Sequence, residues 1–193
     1  MNRREALNRV ALILGTTVVG GAAFLEGCNT ADKKVAAAAT GLPFSTESIS
    51  FLDEVAETII PATNTPGAKA AKVGAFMNTM VTDCYDEKNQ KIFSEGIGKI
   101  DEASQKKFST TFAKATPEQR KELLTAIDKE ATAYNKSKKP EDPAHYFSLM
   151  KQLTLLGYFT SEIGATQALR YVAVPGRYEG CIPYKKGDKA WAT

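Results

Sequence analysis

One histidine, one tryptophan and three cysteines are all that this 193-residue chain holds of the scarcer, chemistry-bearing residue types. With His145 alone, HExxH and every other multi-histidine metal site is excluded, because such sites need two imidazoles at fixed spacing. There is no CxxC pair and no CxxCH haem-attachment motif. GxSxG and the dinucleotide fingerprint are missing too. The run Gly96-Ile97-Gly98-Lys99 is not a phosphate loop. Phe93 stands where Walker A requires glycine, and Ile100 where it requires Ser or Thr. Charge of one sign is also lacking. The net charge is +3, and the basic clusters Lys106-Lys107 and Lys136 to Lys139 sit among carboxylates. They read as solvated helix faces, and no nucleic-acid partner is expected. No segment sustains the period-two alternation of a strand; Val172 to Val174 is the only strand-like piece.

What is present begins with an N-terminal segment that is not fold. Arg3, Arg4 and Arg9 precede an uncharged stretch from Val10 to Leu25, rich in Gly, Ala, Thr and Val. A spanning helix needs about 20 apolar residues, so this shorter and weakly apolar stretch suits the h-region of an export signal. Leu25-Glu26-Gly27-Cys28 follows, a small residue before cysteine as in a bacterial lipoprotein signal. Residues 1–27 are expected to be the signal peptide, with Cys28 the lipidated N-terminus. Arg3-Arg4 adds a twin-arginine reading, although Asn2, Ala6 and Asn8 depart from the usual surroundings of that pair. Residues 28–44 form a flexible tether, in which Asn29 to Gly41 reaches at most about 45 Å. Acyl chains would hold the exported domain at a membrane surface, on the periplasmic side of a bacterial envelope, without spanning it. In an oxidising compartment Cys84 and Cys181 are candidates for a disulfide; two buried thiols or a bridge to another chain are the alternatives.

Residues 45–193 form the domain, and the 43% apolar composition of the whole chain supports a real core. Thr46 or Ser48 caps a first helix with Ile49, Leu52, Val55, Ala56, Ile59 and Ile60 on one stripe, ended by Pro61. ATNTPG is a loop. A second helix carries Val73, Phe76, Met77, Met80, Val81 and Cys84, a stripe that reads as core. Asp86 to Asn89 breaks the pattern before a third helix with Ile92, Phe93, Ile97 and Ile100. Thr116-Pro117-Glu118-Gln119 is a capping box with proline at the first helical position, starting a helix to about Asn135. A last helix opens at Pro143 or Ala144; apolar residues nearly all round it from Leu153 predict a central, mostly buried element. The fold class is all-α: one bundle of about five or six helices with an irregular C-terminal arm.

No catalytic, cofactor-binding or metal-binding constellation emerges. His145 reads as a packing or capping residue. Glu162, in an apolar setting, is a candidate acid or base of a free-standing sugar-active enzyme, or a structural carboxylate paired with Arg170 or Arg177. The arm differs from the rest, with Tyr171, Pro175, Arg177, Tyr178, Ile182, Pro183, Tyr184 and Trp191 in close succession. Tyr, Trp and Arg are enriched in interface hot spots. The partner interface is therefore expected at Tyr158, Phe159, Glu162, Tyr171, Arg177, Tyr178, Ile182 and Tyr184. Glycan binding by the aromatic tail of a surface lipoprotein is a further alternative.

Two motifs, Ile59-Ile60-Pro61-Ala62-Thr63-Asn64-Thr65-Pro66-Gly67-Ala68 and Leu153-Thr154-Leu155-Leu156-Gly157-Tyr158-Phe159-Thr160-Ser161-Glu162 running on to Gly180-Cys181-Ile182-Pro183-Tyr184, make the chain from Phe51 to Trp191 resemble the gluconate 2-dehydrogenase subunit 3 family. The resemblance implies a non-catalytic small subunit. Its partner would be a large FAD-dependent oxidoreductase of the glucose–methanol–choline type that oxidises a sugar or sugar acid, often with a cytochrome c as acceptor. The FAD would belong to that partner. The small subunit would carry the twin-arginine signal, and the folded flavoprotein would leave the cytoplasm with it.

Overall fold

The structure is a computed structural model and describes residues 44–174, 176–177 and 180–192. Arg3, Arg4, Cys28 and the tether up to residue 43 lie outside the described residues, as does Tyr178, whereas Phe44, expected in the tether, packs on Phe93 of the bundle with ring centroids 5.9 Å apart. Five α-helices make up the described bundle: α1 (Thr46–Ile59), α2 (Val73–Cys84), α3 (Glu87–Phe108), α4 (Pro117–Ser137) and α5 (Tyr146–Thr160). A 3-10 turn at Phe112–Lys114 links α3 to α4, and a π-helical turn at Gly164–Ala168 follows α5. The all-α class is borne out. The little strand present is Arg170–Tyr171 (β1) paired in parallel with Trp191–Ala192 (β2), so the strand forms just before the expected Val172 to Val174. None of the described helices is long and apolar enough to cross a membrane.

Local chemistry sets the helix ends. Ser45, the residue before the two expected, caps α1 by accepting from the Ser48 amide at 3.2 Å. Asp86 does not break a helix but starts α3, accepting from the Asn89 amide at 2.9 Å. The polar Glu87 and Lys88 are simply the exposed first turn of that helix. The Thr116 capping box is complete: Gln119 N–H donates to Thr116 Oγ1, and Thr116 N–H donates to Gln119 Oε1. His145 caps α5 through Nδ1, which accepts from the Phe147 amide at 3.2 Å. The first turn of α2 is capped from outside. Lys72, in the left-handed region, supplies no cap, and Asp53 on α1 accepts from the Gly74 amide at 2.8 Å instead.

The core brings together Leu52 and Val55 of α1, Met77 and Val81 of α2, Phe93 and Ile100 of α3, Leu123, Leu124 and Ile127 of α4, and Phe147, Met150 and Leu153 of α5. The Met and Phe stripe on α2 is core, as its spacing predicts, although Cys84 at its end is exposed. Phe51, off the predicted α1 stripe, is also buried and packs on Phe112 with ring centroids 5.2 Å apart. Burying side chains of this size contributes about 1.5–3 kcal/mol each. α5 touches α1, α2, α3 and α4, which is why it is apolar on so many sides.

An ion-pair network fastens α1 to its surroundings. Glu54 pairs with Lys69 in the loop and with Arg120 on α4. Arg120 Nε also donates to the Phe112 carbonyl at 3.0 Å, so one guanidinium ties three elements. Burial alone would raise the Glu54 pKa, but the two cations outweigh it and hold the carboxyl below its ordinary value.

Candidate interaction surface

The two motifs meet in space. The Ile59–Ala68 stretch ends α1 and turns back over it. Glu57 accepts from the amides of Ala62 at 2.9 Å and Lys69 at 2.8 Å, so one carboxylate spans the loop. Ala68 N–H closes the loop on the Ile60 carbonyl at 3.0 Å. From α5, the Tyr158 hydroxyl donates to the Pro66 carbonyl at 2.7 Å. One residue earlier, Gly157 lies against the Phe76 ring; a Cβ there would sit 2.5 Å from Phe76 Cδ1. The absent side chain is what lets α5 approach α2 at this level.

Tyr158 is 2% exposed and is therefore core, not interface. Its ring and hydroxyl are used to lock the loop to α5, and the expectation that it faces a partner is corrected. The other side of the helix is open. Gln152, Leu155, Leu156, Phe159 and Thr160 recur at helical spacing and are all exposed. Leu155, Leu156 and Phe159 are 43%, 42% and 40% exposed, which makes a continuous apolar stripe. The expectation of a helix buried on most sides holds for four neighbours but misses this face. The sequence signal was the apolar character itself, which looks the same whether a leucine meets its own core or another protein.

Past α5, Glu162 is exposed, so it does not sit in the apolar setting expected for it. Tyr171, Ile182 and Tyr184 are 50%, 43% and 77% exposed, and Arg177 is exposed as well. The arm is closed at its base. Arg170 N–H donates to the Ala190 carbonyl at 2.8 Å and Val172 N–H to the Ala192 carbonyl at 2.9 Å. The Arg170 guanidinium stacks on the Trp191 ring at 4.6 Å, and Lys189 Nζ donates to the Gln167 carbonyl. Cys84 and Cys181 are both free and exposed, so the expected disulfide between them is not formed. Strand pairing and ring stacking, not a covalent bridge, return the arm to the end of α5. Among the described residues no group of His, Cys, Asp and Glu is placed to hold a metal ion.

The described residues form an all-α bundle with an uncovered leucine–phenylalanine stripe on α5 and exposed aromatic residues in the arm that follows. The chain belongs to the gluconate 2-dehydrogenase subunit 3 family, whose profile matches residues 46–176. The match includes the Pro66 loop and all of α5, whereas Gly180 to Tyr184 lies beyond it. No curated protein and no solved structure matches the chain significantly.

Proposed function

We propose that the chain is the non-catalytic, lipid-anchored small subunit of an FAD-dependent sugar or gluconate dehydrogenase, and that it binds the large flavoprotein through α5 and the arm. The observation that carries this is the stripe of Leu155, Leu156 and Phe159, left open on the helix that holds the bundle together. Large apolar side chains at helical spacing are what a partner groove takes up. Membership of the gluconate 2-dehydrogenase subunit 3 family supports a dehydrogenase as the partner. Phe159, Glu162, Tyr171, Arg177, Ile182 and Tyr184 are all exposed and would extend the surface. FAD belongs to the large subunit in this reading, a cytochrome c is the electron acceptor, and Cys28 ties the complex to the membrane. The Arg3-Arg4 signal takes the folded holo-complex out of the cytoplasm.

The test uses the full chain in its native host. Affinity purification from membranes should co-elute flavin absorbance and sugar or gluconate dehydrogenase activity. Leu156→Asp with Phe159→Asp should lose both while its own melt is unchanged; retained flavoprotein would sink the assignment of the stripe. Purified chain that oxidises a sugar without flavin would overturn the non-catalytic reading. Cys28→Ala should release the complex from membranes, and Arg3-Arg4→Lys-Lys should leave the flavoprotein inside the cell.

A further inference from the structure

A second feature lies at the opposite end of α5. A cleft of about 530 Å³ opens between α3, α4 and the Pro143–Tyr146 segment, within the size range of small-molecule sites. Tyr146 is thirteen residues from Phe159, about 20 Å along a helix, so the cleft is separate from the docking stripe and its reading does not depend on that one. Two contacts shape it. The Tyr134 hydroxyl donates to the Pro143 carbonyl at 3.0 Å and holds the segment over α4. Gly96 lets the Tyr146 ring lie on α3, where a Cβ would stand 2.6 Å from Tyr146 Cδ2.

Polar groups converge in it. Because His145 Nδ1 accepts from the Phe147 amide, the proton of the neutral imidazole is on Nε2. Nε2 lies 3.9 Å from Glu130 Oε1, too far for a direct hydrogen bond. A hydroxyl between them would accept from the imidazole and donate to the carboxylate. The Tyr146 hydroxyl has no hydrogen-bond partner among the described residues. Burial, aided by Glu130, pushes its pKa up to about 12, so it stays a donor. The rings of Tyr134, His145 and Tyr146 line the cleft in sequence, with centroids 5.7 Å and 4.3 Å apart. Lys99 and Lys106 balance Glu102 and Glu130, so the lining carries no net charge.

We propose that this cleft binds a monosaccharide, with the sugar's C–H face on the aromatic rings and its hydroxyls on His145 Nε2, Tyr146 and Glu130. Neutral lining disfavours an anion. A flat aromatic ring would cover the tyrosines but leave the His145 Nε2 proton without an acceptor. Vicinal hydroxyls, each both donor and acceptor, satisfy the imidazole and the carboxylate together.

The experiment is an amide NMR titration of the labelled full chain with D-glucose, D-galactose and D-mannose, with hydroquinone as the contrasting ring. At least one hexose should give saturable millimolar shifts confined to residues 92–106, 127–134 and 143–147. Glu130→Gln, at a side chain that is 70% exposed, should keep the melt and bind about tenfold more weakly. No saturable hexose shift, or shifts scattered over the surface, overturns the site. Tighter binding of hydroquinone than of every hexose at the same amides overturns the ligand class.

Discussion

The Tyr158 hydroxyl donates to the Pro66 carbonyl at 2.7 Å across 92 residues of sequence. It joins the last turns of α5 to the loop that follows α1. Tyr158→Phe leaves the Pro66 carbonyl without this donor and keeps the ring packing. A loss of about 1 kcal/mol is expected, which for a domain of this size is a fall in Tm of about 2–4 °C. Urea titration of the two proteins checks it. An unchanged midpoint would mean that water replaces the hydroxyl without cost.

Arg120 is 15% exposed and serves Glu54 and the Phe112 carbonyl at once, with the Phe112 ring 5.6 Å away. Lysine carries the charge but not the fork. Arg120→Lys should therefore destabilise by about 1–2 kcal/mol, measured by denaturant unfolding, because one ammonium cannot hold both partners. Stability equal to wild type would show that charge alone matters here.

His145 gives stability a pH dependence whose sign follows from its surroundings. Burial lowers its pKa; Glu130 on α4 opposes this and Lys99 on α3 reinforces it, with Tyr134 and Tyr146 as the neighbouring rings. The unfolded chain then takes up a proton near pH ~6.5 that the folded chain resists. The contribution is fully present above that pH and is lost as pH falls below it, through the lower folded-state value, because a protonated Nδ1 cannot accept from the Phe147 amide. His145→Asn keeps a capping oxygen and removes the titration. Unfolding free energies between pH 5 and 8 should slope for wild type and flatten for the variant. Glu54, whose pKa is lowered, acts in a separate window: its stabilisation is present above its ordinary value and is lost at more acidic pH.

Free, exposed Cys84 and Cys181 should both react with a thiol reagent in the native protein. Cys181→Ser should leave stability within about 0.5 kcal/mol of wild type, as for other surface substitutions. Retention of the bridge on a non-reducing gel, or a large loss of Tm in the serine variant, would restore the disulfide.

Docking, unlike these local effects, depends on a face that the bundle leaves uncovered. Single truncations along it should differ, since a few anchors carry most of an interface. Phe159→Ala is expected to weaken the complex more than Leu155→Ala, with dissociation rates as the readout. Equal and negligible effects would move the anchor into the arm.

Sequence alone determined the elements whose causes are local. Thr116-Pro117-Glu118-Gln119 specifies a helix start wherever it stands, because cap and box lie within four residues. The period of Leu52, Val55 and Ala56 fixes an inward face by the geometry of one helix, and the all-α class follows from the lack of alternation. The two motifs and the family were legible for the same reason. What lay between elements was not. Whether Tyr158 points into the Pro66 loop while Phe159 points out depends on how α5 is rotated among four neighbours, and no period in an all-apolar segment records that rotation. Asp53 of α1 caps α2 from across a loop, a partnership 21 residues away that no local pattern records. Cys84 and Cys181 read as a pair, and only the tertiary structure shows them as separate, exposed thiols. Local hydrogen bonds and periodicity are written in neighbouring residues; rotation, docking and exposure arise only when distant segments compete for the same core.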